Sequence, residues 1–143
     1  MRISSIIERK GGAVITIGAG ANLKAVANVM HDRRIAALVV LRDRKVIGVI
    51  SERDVVSALA QHGQSAGTIW LKDILSPRFV SITTDATIEQ AMSLMTHEHQ
   101  RHLPVINNGE LKGIVSLGDI VKCRLEELEM ESNVLRDLAV AVR

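Results

Sequence analysis

The chain has 143 residues, 47% of them hydrophobic, with 18 Lys and Arg against 16 Asp and Glu for a formal charge of +2. That is enough for one compact domain, or for two small halves that share a core. One Trp, one Phe and no Tyr argue against a base-stacking platform for single-stranded nucleic acid, and the dispersed charge indicates no nucleic-acid or membrane patch.

In chain order, Ile3, Ile6 and Ile7 share one helical face, and Lys10-Gly11-Gly12 breaks that helix. Ala13 to Ile17 reads as a strand, and Gly18-Ala19-Gly20-Ala21 as a turn. Leu23, Val26, Ala27 and Met30 line a helix. Ile35 to Leu41 is a buried-looking strand, Arg42-Asp43-Arg44-Lys45 a hairpin turn and Val46 to Ile50 the returning strand. A helix from Asp54 to about Gln61 follows. After a polar, Gly-rich linker, Trp70 to Leu75 forms a short helix ended by Ser76-Pro77. The order then recurs: strand Phe79–Ile82, turn Thr83-Thr84-Asp85, helix Ile88–His97, strand His102–Ile106, turn Asn107-Asn108-Gly109-Glu110, strand Leu111–Val115 and a helix from Asp119 onward.

The recurrence is a tandem repeat. Residues 14–59 slide onto 79–124 without a gap at an offset of 65, matching Ile17 with Ile82, Met30 with Met95, Leu38 with Leu103 and Gly48 with Gly113. The first unit carries three extra residues around Lys10-Gly11-Gly12. The division is residues 1–62 for the first repeat, 63–67 for the linker, 68–125 for the second repeat and 126–143 for a helical extension. The fold class is α/β (α+β): two pseudo-symmetric β-α-β-β-α repeats packed sheet to sheet, since neither buries its sheet alone. In the extension Val121, Leu125, Leu128, Leu135, Ala139 and Val142 follow a three–four spacing interrupted by Ser132. Such a helix either folds back on its own module or forms a seam between subunits.

The sharpest local signal is duplicated. Gly48-Val49-Ile50-Ser51-Glu52-Arg53-Asp54-Val55 and Gly113-Ile114-Val115-Ser116-Leu117-Gly118-Asp119-Ile120 each run a strand straight into a helix N-terminus. Free N–H groups and the positive end of a helix dipole suit an anion such as phosphate. Ser-x-x-Asp at a helix start is also close to a capping box, which needs no ligand. Both readings stand at this point.

With these motifs, Thr16-Ile17, Ser81-Ile82, Asp85-Ala86-Thr87-Ile88-Glu89-Gln90-Ala91, Leu94-Met95 and His102-Leu103-Pro104-Val105, the chain resembles the CBS domain family. The pair resembles a CBS (Bateman) module of the small stand-alone prokaryotic type. The resemblance implies a non-catalytic sensor that binds an adenosine compound between the repeats: AMP, ADP, ATP, S-adenosylmethionine or NAD(H). It implies ribose on the motif Asp, and phosphate on the motif Ser and the helix N-terminus. One site would use Ser116, Gly118 and Asp119 with Arg101 and His102 at the phosphates, and Lys10, Ile15, Ala36 and Ala37 on the adenine side. Its pseudo-symmetric partner would use Ser51, Arg53 and Asp54 with Val80, Thr83 and Pro104. The sites are expected to differ, because Ala36-Ala37 stands where the second repeat has Arg101-His102.

Other signals weigh less. Gly18-Ala19-Gly20 lacks the third glycine of a dinucleotide fingerprint. His97, His99 and His102 straddle a helix end and a strand, so no metal is expected. Cys123, the single cysteine, reads as a small buried residue and rules out an internal disulfide. No apolar run spans a bilayer and no signal-peptide core is present, which gives the expectation of a cytoplasmic protein without a membrane partner. The functional expectation is a regulatory, homodimeric module that binds an adenine nucleotide and senses energy or redox state. The alternative is a structural or protein-interaction module with degenerate sites. An enzyme is disfavoured, because no catalytic constellation is spelled out.

Overall fold

The computed structural model describes residues 1–76 and 78–141, so the expected stop at Pro77 and the seam position Val142 lie outside the described residues. Elements run α1 (Ile3–Lys10), β1 (Thr16–Gly18), α2 (Leu23–Arg33), β2 (Ala37–Arg42), β3 (Lys45–Ser51) and α3 (Glu52–His62). The polar, Gly-rich linker is wound into a 3-10 turn, Gly63–Thr68, which tucks Ala66 into the core. Then come α4 (Leu71–Ile74), α5 (Ile88–Glu98), β4 (His102–Asn107), β5 (Glu110–Ser116) and α6 (Leu117–Ala141). Among the described residues two small sheets form, β1-β2-β3 and β4-β5.

The expected strand Phe79–Ile82 is a correction. Only an isolated parallel bridge, Ile82 with Val105, forms there. The Ile82 N–H donates to the Pro104 carbonyl at 3.1 Å, and the Ile106 N–H donates to the Ile82 carbonyl at 2.9 Å. The next ladder bond would need an N–H on Pro104, which proline lacks. In the first repeat Val39 holds that position, and β1 pairs with β2 over three residues, Thr16 to Gly18. At the other end the Asn107 side-chain carbonyl accepts from the Thr84 N–H at 3.1 Å, where the first repeat uses the Leu41 carbonyl and the Ala19 N–H at 2.8 Å.

Each repeat lends its leading helix to the other. Ile3 and Ile6 of α1 are buried in the second core with Ile88, Met95, Leu103, Val115 and Ile120. Leu71 of α4 is buried in the first core with Leu23, Val26, Leu38, Val40 and Ile50. The backbone repeats the exchange. The Ile3 N–H reaches the Ala86 carbonyl at 2.9 Å, and the Leu71 N–H reaches the Ala21 carbonyl at 3.0 Å. Each fully buried Ile or Leu contributes about 1.5–3 kcal/mol of transfer free energy, so neither core is complete without the other repeat's helix. The crossing also explains the motif glycines. A Cβ on Gly48 would stand 3.3 Å from Leu75 Cδ2, and one on Gly113 would collide with Ile7 Cδ1.

The hairpin turns carry a small defect. Asn108 and Gly109 take φ of 50° and 80°, a two-residue turn with both angles positive. Asp43 and Arg44 take φ of 50° and 65° in the equivalent turn. Arg44 pays the Cβ penalty that Gly109 avoids. Replacing Arg44 with glycine is expected to stabilise the fold by about 0.5–1 kcal/mol, read as a rise of about 2 °C in Tm. A fall in Tm would show that the Arg44 side chain contributes more than its backbone strain costs.

Candidate functional site

Both Ser-x-x-Asp junctions form the capping arrangement. The Ser51 N–H and hydroxyl donate to Asp54 Oδ2 at 2.8 and 2.9 Å, and the Asp54 N–H returns to Ser51 Oγ at 3.3 Å. In the second repeat the Ser116 N–H donates to Asp119 Oδ2 at 2.9 Å and the Asp119 N–H to Ser116 Oγ at 3.1 Å. The cap does not use up either carboxylate. Among the described residues, the hydrogen bonds to Asp54 and Asp119 all land on Oδ2, and Oδ1 keeps its acceptor capacity.

The two motifs differ in what faces them. Lys10, at the C-terminal end of α1, reaches across the repeat boundary. Its ammonium donates to Asp119 Oδ2 at 2.8 Å and to the Ile114 carbonyl at 2.9 Å. Burial alone would raise Asp119, but the Lys10 ammonium and the Ser116 bonds outweigh it and hold the carboxyl below its ordinary value. Among the described residues, Asp54 has no cation within ion-pair distance.

Two cavities meet at His102. The first, of about 560 Å³, lies between the repeats. Gly48, Val49, Ile50 and Asp54 line it from the first repeat, and Arg78, Phe79, Val80, Gln100 and His102 from the second. Its volume falls in the range of small-molecule sites. The second, of about 670 Å³, is a more open hollow at the start of α6, walled by Arg101, His102, Ser116, Gly118 and Lys122. Burial pushes the His102 imidazole below its ordinary range. Lys10 and Arg101 press the same way, and Asp119 and Glu52 only partly offset them. His102 is therefore neutral at pH 7 and gains charge only on acidification.

The structure unites some expected site residues and separates others. Arg101, His102, Ser116 and Gly118 share the outer hollow, with Asp119 bonded to Ser116 and Lys10. Asp54, bonded to Ser51, shares the inter-repeat cleft with Val80. Arg53 is exposed and does not line that cleft. Thr83 lines a separate shallow hollow and its hydroxyl donates to Asp85. Pro104 is buried in β4, paired with Ile114. Ile15 packs against the first core, the Ala36 carbonyl accepts from the Glu52 N–H at 2.9 Å, and Ala37 pairs with Ser51. Ala37 opens β2 of the first repeat, and Ile15 and Ala36 immediately precede β1 and β2, while the outer hollow is lined by second-repeat residues.

Arg78 and Phe79 were missed. The signal was present: aligning α1 with α4, Ile6-Ile7 on Ile74-Leu75, places Arg78 opposite Lys10. The strand offset of 65 hides this, because the three extra residues lie between. Among the described residues, no group of three His, Cys, Asp or Glu is placed to hold a metal, and no helix is long and apolar enough to cross a membrane.

The family profile of the CBS domain matches residues 5–61 and 71–126. An uncharacterised protein of Methanopyrus kandleri is 30% identical over 124 residues, which cover 85% of this chain and 63% of that protein. The mitochondrial CBS domain-containing protein CBSX3 of Arabidopsis thaliana is 31% identical over 103 residues, covering 68% of this chain and 50% of the relative. This chain thus spans less than two thirds of those two curated relatives. The crystal structure of the CBS-domain containing protein ATU1752 from Agrobacterium tumefaciens superposes with a TM-score of 0.83 at 34% identity, covering 87% of this chain and 99% of that one.

Proposed function

The chain belongs to the CBS domain family as a tandem pair, and from that premise we propose that it is a regulatory module that binds an adenine nucleotide in the cleft between its repeats. The observation that carries this reading is the cleft at Asp54. A motif carboxylate with a spare oxygen faces an arginine and the chain's single phenylalanine across the repeat boundary. The carboxylate suits ribose hydroxyls, Phe79 offers a face for a purine, and Arg78 offers forked donors for phosphate. AMP, ADP, ATP and NAD(H) share those three parts. The nucleotide acts by binding one arrangement of the repeats more tightly than another, which a regulated partner reads. The protein itself carries out no reaction in this account, and its place is the cytoplasm.

A thermal-melting screen with AMP, ADP, ATP, NAD, NADH and S-adenosylmethionine tests it. A ligand at about 100 times its Kd adds roughly 2.7 kcal/mol, or several degrees in Tm. A flat response to all six would favour a second reading, a structural or protein-interaction module. One observation supports that alternative: both capping boxes are complete, and Lys10 neutralises Asp119 from within the chain.

The active unit in this account is a symmetric dimer. The helices that follow the two motifs expose Val56 and Leu59 on α3 and Val121, Leu125 and Leu128 on α6, a face suited to an isologous interface. Light scattering at tens of micromolar, roughly the range in which micromolar dimers form, is expected to give twice the chain's 15.6 kDa. A monomer mass there would remove the dimer.

A further inference from the structure

Past its first turns α6 leaves the body of the protein. Cys123 is the last buried residue of α6, and residues 128–141 are all exposed. Leu128, Val134, Leu135 and Leu138 are each 45–68% exposed, so this stretch carries apolar surface with no cover in one chain. Val121, Leu125, Leu128, Leu135 and Ala139 occupy the inward positions of successive heptads, with Ser132 at one layer. We propose that residues 121–141 of α6 pair, parallel and in register, with the same segment of a second copy as a short two-stranded coiled coil. This rests on the dimer reading and specifies its axis.

Charge selects the occupant and the direction. In a parallel pair, a residue flanking one apolar layer faces the partner residue five positions further on. Arg124 then meets the partner's Glu129, and Glu131 meets the partner's Arg136. Both pairs are opposite in sign, and the twofold axis makes each occur twice. An antiparallel pair that stacks the same apolar layers sets Glu129 on the partner's Glu129, Glu131 on the partner's Glu131 and Lys122 on the partner's Arg136. Those contacts are all repulsive. Sliding the antiparallel pair by one heptad relieves them but strips apolar layers from one end. In a single chain Arg124 already holds Glu127 at 3.0 Å, whereas Glu131 and Arg136 have no ion-pair partner among the described residues. A polar Ser132 layer fits a seam that fixes register at some cost in stability. Three heptads are marginal alone. Here the exposed faces of α3 and early α6 hold the two copies together and raise the effective concentration of the tails.

The test uses the full chain with Cys123→Ala, a change to the residue that the first repeat carries at Ala58. Ala139→Cys is added, the protein is oxidised mildly, and its mass is read without reductant. A parallel in-register seam gives nearly complete cross-linking through position 139. In the fully overlapped antiparallel pair the two copies of position 139 lie at opposite ends and stay reduced. The second measurement avoids the fold altogether, because Glu131 and Arg136 are exposed. Arg136→Glu alone is expected to weaken dimerisation roughly five- to tenfold, and adding Glu131→Arg to restore it. A monomer by light scattering overturns the dimer and this seam together. A dimer that neither cross-links at 139 nor responds to the charge swap overturns the seam and leaves the dimer standing.

Discussion

Replacing Asp119 with asparagine is expected to weaken adenine-nucleotide binding at the second motif, the pseudo-symmetric counterpart of the Asp54 cleft, by about one to two decades while leaving the fold almost intact. Asparagine keeps the shape, and its carbonyl still accepts the Ser116 N–H that Asp119 Oδ2 takes at 2.9 Å. The lost ion pair with Lys10 joins groups that are 38% and 25% exposed, so it costs at most about 1 kcal/mol. A ribose hydroxyl bonded to a carboxylate is a charge-assisted contact worth roughly 1.5–3 kcal/mol, which is where the decades come from. Calorimetry on the variant separates the two roles. Unchanged affinity would assign Asp119 to the cap and to Lys10 alone. The pH dependence gives a second readout. Because the folded carboxyl is held below its ordinary value, the stability it contributes is complete above the ordinary carboxylate range and is lost as pH falls toward the lower folded value. The asparagine variant should lack that part of the acid loss.

Replacing Arg101 with alanine is expected to weaken AMP by a similar one to two decades and adenosine far less. Arg101 lines the hollow at the start of α6 together with Lys122, Glu126 and Glu129, and of these side chains its guanidinium has the forked donors that match phosphate. His102 beside it is neutral at pH 7, so it offers a hydrogen bond and not a second charge. AMP affinity should rise on acidification as His102 gains its proton, and adenosine affinity should not. Arg53→Ala is the control, since Arg53 stands outside the inter-repeat cleft. The cation of that cleft is Arg78, and Arg78→Ala is the variant to compare with Arg101→Ala. Equal losses for AMP and adenosine would show that Arg101 shapes the hollow and does not read the phosphate.

What was legible in the sequence was what repeats. Ser51/Ser116, Asp54/Asp119 and Gly48/Gly113 identified both strand-to-helix junctions, because a gapless offset forces equivalent residues into equivalent places. Core positions Leu38/Leu103 and Met30/Met95 followed from the same offset and are buried in both repeats. The exchange of α1 and α4 was not legible. An amphipathic helix of eight residues shows which face is apolar, but not which of two similar cores receives it. The asymmetry of the sites was half legible. Ala36-Ala37 against Arg101-His102 is visible in the alignment, but the bond from Lys10 to Asp119 requires that crossing. The shortened first strand of the second repeat traces to one residue, Pro104, whose missing N–H outweighed the β-branched pattern around it.

The most direct measurement is a crystal structure of the full chain grown with AMP at millimolar concentration. A nucleotide is expected between the repeats. Its ribose hydroxyls would lie on Oδ1 of Asp54 or Asp119, and its phosphate against Arg78, or against Arg101 and the start of α6. Lys10 would be drawn away from Asp119 wherever ribose takes that carboxylate. A cleft that remains empty at saturating AMP, with Lys10 still on Asp119, or a nucleotide bound away from both motif carboxylates, would contradict it.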